Sequence, residues 1–171
     1  MNKLENEVCP FCRKKTLTLI EDDKDIPYFG KCFIYSMICS SCSYKKADVE
    51  AAERKDPTRY TFEIENQKDL NIRVVKSSEA TIKVPQLKLT VTPGPASEGF
   101  ISNIEGLLSR FKEIIQSQKD DEDDEVKKKV KNMLKKLWKV ECGDEKLKII
   151  IEDPSGNSAI ISEKAKVEKL K

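Results

Sequence analysis

Most of the chain alternates apolar and polar residues with a period of two, and a helical period interrupts it once. Residues 16–20, TLTLI, predict a strand, and EDDKD at 21–25 predicts a solvated turn. IPYFGKCFIYSMI at 26–38 predicts a long returning strand, with Gly30 a bulge or bend. Along it Cys32, Ile34, Ser36 and Ile38 share one face and Phe33, Tyr35 and Met37 the other, so the strand is expected to be covered on both sides. Strand patterns resume at 58–66, 69–78 and 80–93, where Tyr60, Phe62 and Ile64 alternate with Thr61, Glu63 and Glu65 and Pro85 marks an edge or kink. This is the pattern of a half-buried antiparallel β-domain.

PGPASEG at 93–99 breaks that pattern. Apolar residues then fall at Ile101, Ile104, Leu107, Leu108, Phe111, Ile114 and Ile115, and again at Val126, Val130, Met133, Leu134, Leu137 and Val140. Both runs have helical spacing. The acidic cluster at 120–125 opens the second run, lysines crowd its later turns, and Gly143 is a credible stop. A helical hairpin over about 98–142 is therefore expected as an insertion in the β-domain. Two strands flank DPSGNS within 146–162, and EKAKVEKLK at 163–171 predicts a mobile tail.

Charge narrows the functional classes. The 171 residues are 36% charged, yet the net charge is only +2, and four successive segments divided at 55, 98 and 142 are each balanced to within one charge. No segment is a basic module of the kind that binds nucleic acid electrostatically. No apolar stretch approaches the roughly 20 residues of a membrane span, and MNKLENEVCP has no apolar signal region, so a cytoplasmic location is expected.

In a reducing compartment a cysteine pair points to metal or catalysis before it points to a disulfide. Cys9-Pro-Phe-Cys12 and Cys39-Ser-Ser-Cys42 are separated by 26 residues, giving C-x2-C-x26-C-x2-C. This spacing predicts a four-cysteine zinc ribbon over 1–55. A dithiol redox motif needs one such pair at a helix start, whereas here two pairs each lie beside a strand pattern. Four thiolates close the zinc shell, so the Zn2+ is structural. The chain has no histidine, which removes the commonest general base and catalytic zinc ligand. Asp22, Asp23 and the 120–125 carboxylates have no visible partner and are expected to be solvated, so no enzymatic activity is expected. Cys32 and Cys142 stand alone, each most simply a small buried side chain, with a bridge between them left open.

Asp153, Pro154, Ser155, Gly156, Asn157 and Ser158 make up the remaining unusual stretch. These are ordinary turn residues, and a tight turn is favoured over a polar ligand site. With IPYFG inside the ribbon, EGLL opening a helix and DPSGNS between closing strands, the chain resembles the ZPR-type zinc-finger protein family over residues 8–162. It is similar to that family's shorter, single-module archaeal members. The resemblance implies a zinc ribbon bound through Cys9, Cys12, Cys39 and Cys42, a helical hairpin and a double-stranded β-helix-like domain. It also implies binding to translation elongation factor one-alpha, a GTPase, with a part in its folding. The turn motif would then hold the end of the β-domain in shape. Where the family usually has glycine after the last cysteine this chain has Ser43, and its asparagine-rich continuation becomes Lys45-Lys46-Ala47-Asp48.

The expected fold is mainly β with an α-helical hairpin. The expected role is that of a protein-binding module, with Tyr28, Phe29, Tyr44 and Lys45 as partner contacts and Phe11 as a further exposed aromatic. The alternative is a nucleic-acid-binding ribbon using Lys45, Lys46, Arg54 and Lys55.

Overall fold

The computed structural model describes residues 1–26, 30–117 and 124–170. Tyr28 and Phe29, and most of the acidic cluster, lie outside them.

The N-terminal part is a four-stranded antiparallel sheet. Its strands are β1 (Asn2–Val8), β2 (Lys15–Ile26), β3 (Gly30–Cys39) and β4 (Lys45–Ala51), in sequential order. EDDKD is therefore strand and not turn: Glu21 to Asp25 pair with Tyr35 to Lys31. The backbone ladder with β3 holds this polar stretch extended, although its side chains bury little. Strands β1 and β4, whose side chains are mostly exposed, carry no apolar alternation that would announce them. Gly30 opens β3 with φ +91°.

The second part is a two-sheet β-domain. Strands β5 (Thr58–Ile64), β6 (Arg73–Lys76), β7 (Thr81–Val84), β8 (Leu89–Val91) and β9 (Phe100–Asn103) precede two helices, α1 (Ile104–Ser117) and α2 (Asp124–Cys142). Strands β10 (Leu147–Asp153), β11 (Ala159–Ile160) and β12 (Lys166–Lys169) follow. One sheet runs β12-β5-β10-β7-β8 and the other β11-β6-β9. Buried residues from both, including Phe62, Ile64, Val74, Ile82, Ile149 and Ile151, form one core with the apolar faces of the helices. This is a jelly-roll arrangement, the double-stranded β-helix-like domain that the resemblance implies.

Three local expectations are corrected. Residues 69–78 do not form one strand, because a short 3-10 helix (Gln67–Asn71) precedes β6. Residues 100–103 are strand, and α1 starts at Ile104, where Asn103 Oδ1 accepts the Gly106 N–H at 2.8 Å as an N-cap. Ile101 falls at helical spacing but packs instead against the ribbon. In the expected tail, residues 166–169 are an edge strand paired with β5, and the Leu170 N–H donates to the Pro57 carbonyl at 3.0 Å. Its side chains are all exposed, so backbone bonds hold it, helped by Lys164 between Glu65 and Asp69.

Pro85 opens a single 3-10 turn that joins β7 to the sheet-edge strand β8. Helix α2 ends as Gly143 predicts. The Asp144 N–H reaches the Lys139 carbonyl and the Gly143 N–H the Val140 carbonyl, with Gly143 at φ +84°, a Schellman closure. Lys112 of α1 pairs with Glu141 of α2 at 2.5 Å and ties the hairpin together.

The two parts meet along one apolar seam. Cys32 and Val75 are fully buried there, with Ile34, Val49, Ala51, Ile101 and Ile161 around them. Cys32 is thus a buried seam residue, its thiol pKa raised chiefly by burial, whereas Cys142 is exposed; both thiols are free.

Candidate metal centre

Two matched turns build the site. After Cys9 the chain curls so that the Arg13 N–H donates to the Cys9 carbonyl and the Cys9 N–H to the Lys14 carbonyl, both at 2.9 Å. After Cys39 the equivalent turn is closed by the Cys39 N–H on the Tyr44 carbonyl at 2.8 Å. Each turn passes through a left-handed residue just after its second cysteine, Arg13 at φ +60° and Ser43 at φ +57°. That backbone conformation explains why glycine suits the position that Ser43 occupies. Ser43→Gly is expected to stabilise the ribbon by about 1 kcal/mol through relief of the Cβ contact. Thermal melts of the zinc-loaded protein check this, and an unchanged or lower Tm would count against it.

The turns bring Cys9, Cys12, Cys39 and Cys42 together, with all four Sγ atoms within 4.8 Å of one another. Cys9–Cys42 and Cys12–Cys39 Sγ pairs are each 3.7 Å apart. A tetrahedral zinc with bonds of ~2.3 Å sets its sulfurs about 3.8 Å apart, which these two pairs match and the 4.8 Å limit on the whole set approaches. The Thr16 hydroxyl lies 3.3 Å from Cys39 Sγ and is the largest of the causes that pull that thiol down, while burial and the neighbouring sulfurs push Cys42 up, so the four sulfurs share their protons as one group. Cys9 and Cys39 are buried, and Leu17, Leu19, Met37 and Tyr44 pack around the sulfurs. Four soft donors of one type in a closed tetrahedron fit Zn2+ as a structural ion and leave no position for water or substrate.

The outer face of the turns carries one aromatic pair. Phe11 is 78% exposed and stacks on Tyr44, with ring centroids 6.4 Å apart and an interplanar angle of 6°. Tyr44 is half-buried and Lys45 exposed beside it. Of the basic residues that a nucleic-acid reading would use, Lys46 pairs with Glu98 at 3.3 Å and Arg54 with Glu79.

The DPSGNS segment lies far from the zinc site in role as well as in sequence. Asp153 is fully buried at the end of β10. It accepts the Ser155 N–H and hydroxyl at 2.8 and 2.7 Å on one oxygen, and the Asn157 N–H and Ser158 hydroxyl at 3.1 and 2.6 Å on the other. Burial alone would raise its pKa, but the Ser158, Ser155 and Ser77 hydrogen bonds outweigh it and hold the carboxyl below the ordinary carboxylate range. The turn also grips the connection between the two parts, since the Lys55 N–H donates to the Ser155 carbonyl at 2.8 Å. The turn therefore forms a clamp that is buried except at Pro154.

A group with a depressed folded-state pKa adds stability above its unfolded pKa and loses it as pH falls through the folded value. Asp153→Asn is expected to cost about 2 kcal/mol at neutral pH, because an amide nitrogen would face bound donors. It should also flatten the loss of stability below about pH 4. Urea titrations of both proteins between neutral and acid pH check this, and parallel pH profiles would sink it.

Comparison with known proteins adds two family matches, the ZPR1 zinc-finger domain over residues 3–57 and the ZPR1 jelly-roll domain over residues 68–171. A ZPR1-like protein of Pyrococcus horikoshii is 41% identical over 95% of this chain and 75% of its own length. One of Methanocaldococcus jannaschii is 39% identical over all of this chain and 91% of its own. The fission-yeast protein named zinc finger chaperone zpr1 is 30% identical over 79% of this chain, which spans only 30% of that larger protein.

Proposed function

Since this chain belongs to the ZPR1 family of zinc-finger proteins, we propose that it is a non-enzymatic, zinc-stabilised module that binds translation elongation factor one-alpha and assists its folding. The chaperone name of the fission-yeast relative supports the role, and the partner is the one that the family resemblance implies. The observation that carries the interaction itself is the stacked Phe11–Tyr44 pair. A phenylalanine is left 78% exposed on a turn closed by backbone hydrogen bonds between Cys9, Arg13 and Lys14. Exposed aromatics on a preorganised backbone are typical interface anchors.

The zinc ion's part is to fix that backbone, and its closed coordination leaves the chemistry to the partner. Among the described residues no helix is long and apolar enough to cross a membrane. The test is titration calorimetry of the zinc-loaded protein against purified elongation factor, with GDP and with GTP. Binding is expected, and Phe11→Ala should weaken it about tenfold, the cost of one aromatic anchor. No heat with either nucleotide, or an unchanged Kd in the Phe11 variant, overturns this reading.

A further inference from the structure

The alternation along β3 predicts cover on both faces of the strand, and the chain supplies it on one. Cys32 and Ile34 face the seam with the jelly roll. Phe33 and Tyr35 point the other way, are half-buried, and join none of the buried cores.

Residues paired across the ladders share a face, so the register writes out that outer surface row by row. Nearest the zinc turns, Leu4, Leu19, Met37 and Lys46 stand abreast. The following row is Asn2, Glu21, Tyr35 and Asp48, and the next is Asp23, Phe33 and Glu50. Strand β3 thus carries a column of Met37, Tyr35 and Phe33, and each ring has a carboxylate on either side.

The cations of this face do not neutralise those carboxylates. Lys46 pairs with Glu98, off the sheet, at 3.3 Å. Lys31 holds Asp23 at 3.3 Å, and its ammonium lies 6.0 Å from the Phe33 ring centre. Asp48 turns one oxygen to the Val49 and Gly99 N–H groups. Glu21 and Glu50 are exposed and form no ion pair among the described residues. Burial raises the pKa of the Tyr35 hydroxyl, and the charges of Glu21 and Glu50 raise it further. Lys31 shows the chemistry this surface favours, a cation at a ring with a carboxylate to hold it. Tyr35, one row away, has the ring and the carboxylates and no such cation among the described residues.

We propose that the outer face of the ribbon sheet docks an extended, arginine-bearing segment of a partner protein. One arginine would lie over Tyr35 and meet Glu21, and a second, two residues along, would meet Glu50 beside Phe33. Alternate side chains of an extended segment stand ~6.8 Å apart, the same spacing that separates Tyr35 from Phe33 along β3. Arginine suits the face better than lysine, because its planar guanidinium stacks on a ring while its fork of N–H groups meets a carboxylate. The same carboxylates repel the phosphates of a nucleic acid. The proposal stands on the sheet face and does not depend on what binds the Phe11–Tyr44 pair.

The test uses the zinc-loaded full chain and a fluorescein-labelled octapeptide of alternating arginine and threonine, with glutamine in place of arginine as control. Fluorescence anisotropy should show binding of the arginine peptide alone. Glu21→Gln combined with Glu50→Gln, two exposed changes outside the cores, should weaken it about tenfold. Tyr35→Thr, which keeps a strand-forming residue, should weaken it about fivefold through loss of the ring. Neutralising two exposed carboxylates of the jelly roll instead, by Glu63→Gln with Asp144→Asn, should leave the affinity unchanged. Equal binding of both peptides, an unchanged affinity in either ribbon variant, or an equal loss in the jelly-roll variant overturns the proposal. Sedimentation velocity without peptide adds a last check. A dimer that the Glu21 and Glu50 changes break apart would make a second copy of this chain the occupant, and overturns it too.

Discussion

Replacing Cys39 with serine is expected to empty the metal site and unfold the ribbon while the jelly roll stays folded. Zinc content should fall from about one ion per chain to near zero, because a three-thiolate site loses both charge and closed geometry. The scale is large, since structural zinc contributes on the order of 10 kcal/mol of folding free energy in small metal domains. The ribbon has little else to rely on. Its metal-side core is Cys9, Leu17 and Cys39, with only partly buried neighbours, and β1 is exposed along its whole length. The jelly roll, by contrast, has a core of nineteen buried residues that does not include the zinc ligands. Elemental analysis with amide NMR separates the two halves, and zinc retained at full stoichiometry would reject the ligand assignment.

Substituting alanine for Gly156 should cost about 3–4 kcal/mol, nearly all of it local to the clamp. The residue has φ +67°, which penalises any side chain. A Cβ there would stand 2.2 Å from the Asp56 carbonyl oxygen and 2.8 Å from the Lys55 carbonyl carbon. Both are backbone atoms of the connection between ribbon and jelly roll, so no flexible side chain can swing away. The turn must then leave Asp153, or the connection must leave the turn. Chemical denaturation measures the loss, and a change under about 1 kcal/mol would mean that the clamp yields freely. Proteolysis at 52–57, where the connection would be freed, gives a second readout.

The four-cysteine cluster was legible because its chemistry is written in spacing alone. Two C-x2-C pairs have few other uses, and their separation leaves room for a hairpin. Strands β5 and β10 and helix α2 were legible because each buries one face, which stamps a period on the sequence. What was not legible is structure held by backbone rather than by burial. Strands β1, β4 and β12 and the 21–25 stretch of β2 are mostly polar, and neighbouring ladders hold them extended. Ile101 misled because its helical spacing to Ile104 coincides with a strand residue needed at the seam.

The burial of Lys76 at the end of β6 gave no signal at all, since a lysine at the end of a strand reads as surface. Tight-turn chemistry was visible in DPSGNS, but its burial was not. Nothing local reveals that Asp153 faces three serines, or that Ser155 and Gly156 meet the connection at Lys55 and Asp56.

The order of strands in the larger sheet has a consequence for how the chain is made. Strand β5 lies between β10 and β12, so among the described residues Thr58–Ile64 pairs only with segments that begin at Leu147 and Lys166. As the polypeptide leaves the ribosome, the ribbon can bind zinc and close on itself, whereas β5 must wait for most of the remaining chain. Pairings this distant in sequence are slow to form and leave hydrophobic edges uncovered in the meantime. The nascent protein is therefore a finished metal knuckle trailing an open half-sheet. The jelly roll shuts late, when β10 and then β12 slide in on either side of β5.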